Sequence, residues 1–573
     1  MKKLLELIFP VMTWGPNYSQ DRFRSDLVAG TVVVFITVPQ VIAYAFLAGM
    51  PPEAGLYAAM MALVGYAIFG SSRALAVGPT AIIAMMTLEA SSSFGIPGTL
   101  DYTETVVQLC VATGIVLTVL RVVNFGSVIS FLSHAVVTGF ITAAAILIIS
   151  NQLPHMIGLA SSPDTSIVGV YSYLLEEMNE FNQMVVLISC MAVVALIFCR
   201  THLGSLLRRT GLAGEVIDSL VKSAPMYVVV IGVVLVRLFS LDTGFEVPVV
   251  GEIPTVLPDI NIVLMSLERF QELLPSALLI SMVIFMESTS IGTAIASKAR
   301  EKINPNQELV GLGVANLGSS LVGGFPVAGS FARSIVNFSS GSVSPVASLV
   351  TAFLVMIIVL LFATLFFHLP KGVLSAIIVI SAWQLIDFQA VRKIFSFNTA
   401  DSVTFLFTFL AVLSLGVESG VLIGIAISFV LLIRSSSRPH IAVVGRVGDS
   451  EHFRNVERYD VRTSPKLLAL RVDESLYFVN NRFIETFILN EVADRQEVEH
   501  VLLICTSTNF IDTSGLEMLE ELSENLSEVG VTLNMAEVKG PVMDKLKETS
   551  FYRNLSGQIF FTSDIAMKEL TGI

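Results

Sequence analysis

Two short apolar stretches, each interrupted by glycine and proline, decide how this chain folds. The first reads Ala-Leu-Ala-Val-Gly-Pro-Thr-Ala-Ile-Ile-Ala-Met-Met (residues 74–86), and the second reads Gly-Gly-Phe-Pro-Val-Ala-Gly-Ser-Phe-Ala-Arg-Ser-Ile-Val (residues 323–336). Each is too short to cross a bilayer as a helix, which takes about 20 residues. Backbone that is not helical at membrane depth is tolerated only where it lines a cavity or is buried in protein. Paired breaks of this kind predict the substrate site of a transporter.

The composition predicts an α-helical polytopic membrane protein with a separate polar domain. Of the 573 residues, 54% are hydrophobic and 14% are charged, whereas about 25% are charged in a soluble protein. Apolar runs dominate from about residue 26 to residue 433, and the remainder has the composition of a small α/β domain. We therefore predict an N-terminal cytoplasmic segment (1–25), a transmembrane domain (26–435), a linker (436–445) and a cytoplasmic domain (446–573). The four cysteines show no disulfide or metal spacing, and we expect no cofactor.

Hydrophobic runs predict about fourteen membrane segments, some of them of half length. Their approximate cores are 26–48, 53–70, 78–92, 104–120, 126–150, 183–200, 224–240, 274–297, 306–323, 329–340, 345–367, 371–386, 401–415 and 416–434. With this count, every basic cluster falls on one side of the membrane, and only Arg237, Arg269 and Lys371 are isolated exceptions near the other face. The positive-inside rule then predicts cytoplasmic N- and C-termini. We also expect the protein to lie in the inner (plasma) membrane.

The two broken segments are the third and the tenth, and they are therefore seven segments apart. An odd separation with the same local design means that the second half is inverted relative to the first. We therefore predict a 7+7 inverted repeat, the arrangement of many secondary transporters.

Arg333 makes the second broken segment a candidate anion site. The N-terminus of a helix carries roughly half a positive charge, and its free N–H groups bind anions. If the starts of the two half-helices face each other, the site holds about +2 charges together with Arg333. This charge favours a small oxyanion and repels a cation. The alternative is that Arg333 only neutralises Glu287 as a structural ion pair.

Glu287 lies in the centre of the eighth segment, and an intramembrane carboxylate is a functional residue by default. A proton bound to Glu287 removes a negative charge near the anion site, so proton and anion favour each other's binding. We therefore predict proton coupling through Glu287. The alternatives are a carboxyl group hydrogen-bonded to the half-helix backbone, and a sodium ligand.

Four further polar residues are candidates for the substrate-binding site. Gln40 and Tyr44 lie four residues apart and therefore on one face of the first segment. Thr80 and Ser330 stand at the starts of the two half-helices. The alternative for each is a structural role, because hydroxyl and other polar side chains also hold membrane helices together.

The C-terminal part alternates short apolar runs with helical periods, a pattern typical of a small α/β domain. We predict strands at 467–472, 476–479, 500–505, 531–536 and 558–561, and helices at 482–493, 514–529 and 541–549. Asp512, Thr513 and Ser514 fall at a strand-to-helix junction. They either cap the helix or form a phosphorylation or partner-docking point, and the sequence does not decide whether Thr513 or Ser514 is modified.

The motifs of the whole chain resemble those of the SulP family of anion transporters, the sulfate permeases. The matching stretches include Val-Pro-Gln-Val-Ile-Ala-Tyr-Ala from residue 38, Val-Gly-Pro-Thr-Ala from residue 77, Asn-Gln-Glu-Leu-Val-Gly-Leu-Gly-Val-Ala-Asn from residue 306 and Phe-Pro-Val-Ala-Gly-Ser-Phe-Ala-Arg-Ser from residue 325. The C-terminal part is similar to a STAS domain, with Ile-Asp-Thr-Ser-Gly from residue 511 as the shared motif.

This resemblance implies a uracil-permease-like fold, in which a core domain and a gate domain move as an elevator within a homodimer. It also implies an anion site between the third and tenth segments, formed by Gln40, Tyr44, Thr80, Ala332 and Arg333. The Met-Glu-Ser of the eighth segment is similar to that of proton-coupled plant sulfate transporters, which implies the coupling role for Glu287.

The expected function is secondary active transport of an inorganic anion, with sulfate and protons as the expected solutes. Bicarbonate or dicarboxylate transport with sodium or protons, uncoupled anion exchange, and a membrane sensor acting through the STAS domain remain alternatives. We expect no enzyme activity, because no nucleophile–base pair or metal cluster occurs in the membrane domain. The expected partners are the lipid bilayer, a second copy of the chain and a cytoplasmic ligand of the STAS domain, but no nucleic acid.

Overall fold

The structure, a computed structural model, describes residues 10–126, 133–162, 164–210 and 214–572. Residues 1–9 of the predicted N-terminal segment and 127–132 of the predicted fifth segment lie outside the described residues. The chain divides into two compact units, Met1–Ile425 and Ala426–Ile573.

The first unit is helical. Its longer helices, together with the helix that leads into the second unit, are α1 (Gln20–Leu47), α2 (Pro52–Phe69), α3 (Ala81–Ser92), α4 (Leu100–Val122), α5 (His134–Ile157), α6 (Ile167–Glu176), α7 (Gln183–Phe198), α8 (Gly214–Lys222), α9 (Ala224–Phe239), α10 (Leu267–Ala299), α11 (Pro305–Leu321), α12 (Phe331–Ser339), α13 (Val346–Phe362), α14 (Lys371–Trp383), α15 (Phe388–Phe397), α16 (Thr399–Leu415) and α17 (Val417–Ser437). Short helical turns lie at Val11–Trp14, Gly15–Asn17, Cys199–Leu203, Gly204–Leu207, Arg208–Thr210, Leu241–Gly244 and Ala363–His368.

Each of the fourteen predicted segments contains one of these helices. Within the described ranges, nine helical stretches are long and apolar enough to cross a membrane, and four more apolar helices are shorter. The helix α6 lies in the stretch between the fifth and sixth segments, which the sequence had left as a connection. The predominantly helical fold is confirmed, whereas the number of crossings and the inverted repeat stay predictions.

Two very short strands stand immediately before α3 and α12. Strand β1 (Val77–Gly78) pairs with β2 (Ala328–Gly329) in antiparallel register, with Val77 opposite Gly329 and Gly78 opposite Ala328. The four residues are buried, and a large buried apolar cluster surrounds them. The two breaks noted in the sequence therefore form one structural element.

The second unit contains a six-stranded sheet in the order β4-β3-β5-β6-β7-β8. Its elements are β3 (Ile441–Arg446), β4 (Phe453–Asn455), β5 (Leu467–Val472), α18 (Asn481–Ala493), β6 (His500–Ile504), α19 (Thr513–Glu528), β7 (Thr532–Ala536), α20 (Gly540–Leu546), α21 (Ser550–Asn554), β8 (Ile559–Phe560) and α22 (Ser563–Thr571). Strands β5 to β8 are parallel, and β3 runs antiparallel to β4 and β5. Two apolar clusters hold this α/β unit together.

Three features of this unit differ from the sequence prediction. The helices α21 and α22 were not predicted. The strand predicted at 476–479 is wrong, because only Leu476 makes an isolated bridge, to Ile511, and the chain then turns into α18. Strand β3 begins at Ile441, inside the stretch predicted as a linker, and its neighbour β4 was not predicted. At the start of α19 the carboxylate of Asp512 accepts a hydrogen bond from the N–H of Gly515, which is the predicted cap.

Candidate functional site

The starts of α3 and α12 meet where β1 pairs with β2. The N–H of Ser330 donates a hydrogen bond to the carbonyl oxygen of Ala76, across from one broken segment to the other. Thr80 and Ser330 are the extended residues that precede the two helices, and neither side chain caps its helix. By contrast, Thr99, Ser266 and Asn304 cap α4, α10 and α11 through their side chains. The first N–H groups of both half-helices thus lack the usual side-chain acceptor.

Arg333 lies at this meeting point and is only 1% exposed. Its Nη2 atom donates a 2.6 Å hydrogen bond to the carbonyl oxygen of Pro79, at the start of the opposite half-helix. Its Nε atom has no hydrogen-bond partner in the described part of the chain. A Cβ atom at Gly78 would stand 3.0 Å from Nη1, so the glycine makes room for the guanidinium. A buried charge that keeps an unused donor is available to an anionic ligand.

Glu287 lies in the middle of α10, within electrostatic reach of Arg333. Its Oε2 atom is buried and has no hydrogen-bond partner among the described residues, and the two side chains form no direct ion pair. A structural ion pair would place the two groups in contact, because contact is what offsets the cost of burying both charges. The geometry therefore disfavours the purely structural alternative for Arg333.

The predicted hydroxyl and amide residues are buried near these charges. Tyr44 is 5% exposed and interacts electrostatically with both Arg333 and Glu287. Gln40 lies one turn earlier on α1, and its Oε1 atom is buried without a partner in the described ranges. The hydroxyl oxygen of Thr80 is likewise buried and has no hydrogen-bond partner among the described residues. Several polar atoms that could bind a ligand thus lie near the point where the starts of α3 and α12 meet, which we call the crossing of the half-helices.

Ala332 differs from the other predicted site residues because its side chain is exposed. The buried face of α12 carries Arg333, Ser334, Val336 and Asn337, and Ala332 points away from it. Any contribution of Ala332 to the site therefore comes from its backbone N–H, in the first turn of the helix, where the N–H groups are free of intrahelical bonds.

Several polar residues at the crossing were not predicted from the sequence. Ser288 accepts a hydrogen bond from the N–H of Gly329 at 2.8 Å, and Ser334 accepts one from the N–H of Ala76 at 2.9 Å. Asn337 donates to the carbonyl oxygen of Ala74, and Ser381 of α14 interacts with Tyr44. Ser288 and Ser334 directly follow Glu287 and Arg333 in the sequence, which was the available signal. No group of three or more metal-ligating side chains occurs within the described ranges.

Comparisons with known proteins agree with this architecture. A model of the sulfate permease family matches residues 23–408, and a model of the STAS domain matches residues 458–566. The probable sulfate transporter 4.2 of Arabidopsis thaliana is 30% identical over 569 residues, which cover 97% of this chain and 82% of that protein.

Two solved structures share the fold. The structure of SLC26A9 superposes with a TM-score of 0.89 at 20% identity, and it covers all of this chain and 94% of the other. The transmembrane domain of the cyanobacterial bicarbonate transporter BicA superposes with a TM-score of 0.60 at 19% identity, over 72% of this chain and 98% of the other. The family match spans more than half of the residues, and this chain therefore belongs to the sulfate permease family and carries a C-terminal STAS domain.

Proposed function

We propose that this protein is a secondary active transporter that carries sulfate across the inner membrane together with protons. The observation that carries the proposal is the crossing of the two half-helices, where uncapped N–H groups and the unused Nε donor of Arg333 surround one point. Two helix N-termini and one arginine amount to about +2 charges. Sulfate, a small divalent oxyanion, matches both the charge and the donors.

The anion would be held by groups that already lie in place. In this proposal the N–H groups of the first turns of α3 and α12 bind its oxygens, and Thr80 and Ser330 donate their hydroxyl protons. Arg333 supplies the charge while its Nη2 remains on the carbonyl oxygen of Pro79. Gln40 and Tyr44 close the site from α1. Such groups cost little reorganisation when the ligand binds, because they are fixed by helices.

Glu287 would provide the link to protons. Its unpartnered Oε2 atom lies within electrostatic reach of Arg333, so its charge opposes the binding of an anion. Protonation removes that opposition, and by linkage a bound anion favours protonation to the same extent. Alternating access of the loaded site would then deliver both solutes together, by an elevator movement of a core domain against a gate domain.

The charge balance constrains the stoichiometry. One sulfate with one proton carries a net negative charge inward, which an inside-negative potential opposes by roughly 2.3 kcal/mol per 100 mV. Accumulation of sulfate therefore requires a steep proton gradient or a second proton. The sulfate names of the relatives favour this anion, whereas the name of the BicA structure makes bicarbonate the first alternative.

The topology belongs to the same proposal. We place the membrane domain at residues 26–435 and the cytoplasmic STAS domain after the linker, with both termini in the cytoplasm. The positions of the basic clusters support this orientation. A homodimer and a cytoplasmic partner of the STAS domain are likewise part of the proposal, on the strength of the family membership.

The decisive experiment is uptake of radiolabelled sulfate into proteoliposomes, with and without an inward proton gradient. We expect gradient-driven uptake in the wild type, and uptake that no longer depends on the gradient in Glu287→Gln. The matched control is Glu89→Gln, in which the amide oxygen can still accept the hydrogen bond from the N–H of Val417. Absence of sulfate uptake combined with sodium-driven bicarbonate uptake would replace the proposal.

A further inference from the structure

A second polar cavity lies away from the crossing of the half-helices. Its volume is about 330 Å³, and it lies between the end of α1, the end of α5 and the start of α14. This end of the helices is the one that the charge pattern assigns to the extracytoplasmic side. The side chains that line it and bear on its chemistry are Phe46, Gln152, His155, Ser161, Lys371 and Ser375.

Two of these polar side chains are almost completely buried and lack protein partners. Gln152 is 4% exposed and Ser375 is 3% exposed. Neither side chain makes a hydrogen bond to another residue in the described part of the chain, although both face the cavity. Their polar atoms are therefore open to the cavity, where a polar species can complete their hydrogen bonds.

The charge of the cavity selects an anion. Lys371 is the only charged side chain among its described lining residues, and no carboxylate lines it. The ammonium group lies 5.5 Å from the centre of the Phe46 ring. The backbone around it is fixed, because the N–H of Lys371 donates to the carbonyl oxygen of Pro248 and that of Val250 donates to Leu369. His155, whose Nε2 lies 3.1 Å from the Ser161 hydroxyl, adds a further polar group.

The cavity also lies close to the crossing of the half-helices along α14. Ile378 of α14 lines it, and Ser381, one turn further along the same helix, interacts with Tyr44. Three residues of helix correspond to about 4.5 Å. On α1, Phe46 lies two residues beyond Tyr44. An anion in the cavity would therefore stand about one helical turn from the residues of the proposed transport site.

We propose that this cavity is a second anion site, which binds the oxyanion at the extracytoplasmic entrance before it reaches Arg333. The inference rests on the proposed transport function and adds to it a separate site for capture. Lys371 provides the charge, and Gln152 and Ser375 provide hydrogen-bond donors. Phe46 and Ile378 form an apolar wall, and the volume of about 330 Å³ leaves room for a small oxyanion with bound water.

Binding is tested in the full-length purified protein, by the rise in melting temperature with added sulfate at constant ionic strength. Arg333→Gln removes the main charge of the transport site, and we expect it to retain a smaller stabilisation by sulfate. The double variant Arg333→Gln/Lys371→Gln should lose that remainder. The matched control Arg333→Gln/Lys393→Gln changes an exposed lysine outside the cavity and should keep it. Loss of all sulfate stabilisation in Arg333→Gln alone would overturn the second site.

Transport provides an independent readout. We expect Lys371→Gln to raise the KM for external sulfate roughly fivefold while kcat changes less than twofold, because a capture site acts on encounter. Lys371→Arg should restore the KM, and Gln152→Leu should raise it as well. If Gln152→Leu only stabilises the protein and leaves the KM unchanged, the cavity holds water and the inference fails.

A panel of sulfate, bicarbonate and chloride separates this inference from the proposed function. Uptake of any of these anions that is insensitive to Lys371 overturns the second site and leaves transport standing. If the wild type neither binds nor transports any of them, the proposed function fails and the second site fails with it.

Discussion

Two carboxylates on neighbouring helices, Glu308 of α11 and Glu287 of α10, differ in how completely the fold satisfies their hydrogen bonds. Glu308 of α11 is fully buried and accepts hydrogen bonds from the Tyr66 hydroxyl at 2.7 Å and from the N–H and hydroxyl of Ser71 at 2.9 and 2.6 Å. Glu287 of α10 leaves Oε2 without a partner in the described ranges. An unmade bond in a dry environment is costly, and at Glu287, within electrostatic reach of Arg333, a ligand or a proton can complete it.

Asp26 resembles Glu308, because it is also a buried carboxylate that accepts several hydrogen bonds. Its carboxylate accepts bonds from the hydroxyl groups of Tyr18 and Ser344 and from the N–H groups of Val343 and Ser344. It thereby joins the start of α1 to the loop before α13. Burial alone thus does not identify a functional charge in this membrane domain. Among these three carboxylates, an unmade hydrogen bond distinguishes Glu287 from Glu308 and Asp26.

Arg333→Gln should have the largest effect on function. Glutamine cannot supply the charge, and we expect the initial rate of sulfate uptake to fall at least about 100-fold, the scale on which a central charged contact acts. Arg237→Gln, at an exposed position near the end of α9, is the control and should keep the wild-type rate. If the Arg333→Gln variant folds and takes up sulfate at a near-normal rate, Arg333 is a structural charge and not part of the transport site.

Glu308→Gln should affect stability and leave the chemistry of transport alone. The amide can accept only part of the three bonds that the carboxylate accepts now, and hydrogen bonds to charged groups contribute about 1.5–3 kcal/mol each. We expect the free energy of unfolding to fall by about 3 kcal/mol. The melting temperature should drop, while the KM and the proton dependence of the folded fraction stay unchanged. A change in the proton dependence of transport would mean that Glu308 takes part in proton coupling, and it would contradict the structural role assigned to Glu308 here.

Asp564 of the STAS domain offers a test, outside the membrane domain, of the idea that a carboxylate with satisfied hydrogen bonds contributes to stability. Its carboxylate binds Lys568 at 2.5 Å and the nearly buried Arg446 at 3.2 Å. The hydrogen bond from Lys568, followed by that from Arg446, holds the pKa of Asp564 below its ordinary value of 3.8. The stabilisation is therefore present above that pH and is lost as the pH falls through the folded pKa.

Asp564→Asn should cost about 2 kcal/mol of domain stability, because it leaves Arg446 without its anionic partner. Hydrogen exchange of β3 and α22 in the full-length protein measures this loss. In the wild type, hydrogen exchange of β3 and α22 should become faster below pH 3.8 than the intrinsic pH dependence of amide exchange accounts for. In Asp564→Asn this additional acceleration should be absent. Equal acid sensitivity of both proteins would contradict this assignment.

The sequence predicts the helices of this protein well, for a physical reason. Membrane helices must satisfy their own backbone, so that long apolar runs have a single solution. The strand 467–472 was also predicted correctly, because it is a short, mostly aliphatic run that is buried in the sheet. Strand β4 was missed because the charges of 446–458 hide its alternation. Strand β3 was missed because its apolar run from residue 441 falls within the stretch assigned to the linker. The false strand at 476–479 shows that a short apolar run can equally be a turn between packed elements.

The site was predictable only in outline. The two apolar segments interrupted by glycine and proline predicted that two half-helices meet. Arg333 and Glu287 were recognisable as charges in apolar surroundings. The exposure of Ala332 was not predictable, because it depends on how α12 rotates against its neighbours. The roles of Ser288, Ser334 and Ser381 were not predicted for a related reason, although the first two directly follow Glu287 and Arg333 in the sequence. Serine is common in membrane helices as a packing residue, and only the tertiary structure shows which hydroxyl holds which strand.

Ser288→Ala gives the smallest and most discriminating effect. The hydroxyl of Ser288 accepts the N–H of Gly329, and its loss leaves that buried N–H in β2 without an acceptor, at a cost of about 1 kcal/mol. Because β2 leads directly into α12, the start of the half-helix should loosen. We expect the KM for sulfate to rise roughly fivefold, with little change in the melting temperature.

The control for Ser288→Ala lies on the same helix. Ser281 is equally buried in α10 and donates a single hydrogen bond to the carbonyl oxygen of Thr113, on the neighbouring α4. Ser281→Ala removes the same hydroxyl group at the same depth of burial, but it does not touch β1 or β2. It should therefore lower stability slightly and leave the KM unchanged. Equal KM values for the two variants would mean that Ser288 only packs, and that the crossing owes its geometry to Arg333 and the strand pairing alone.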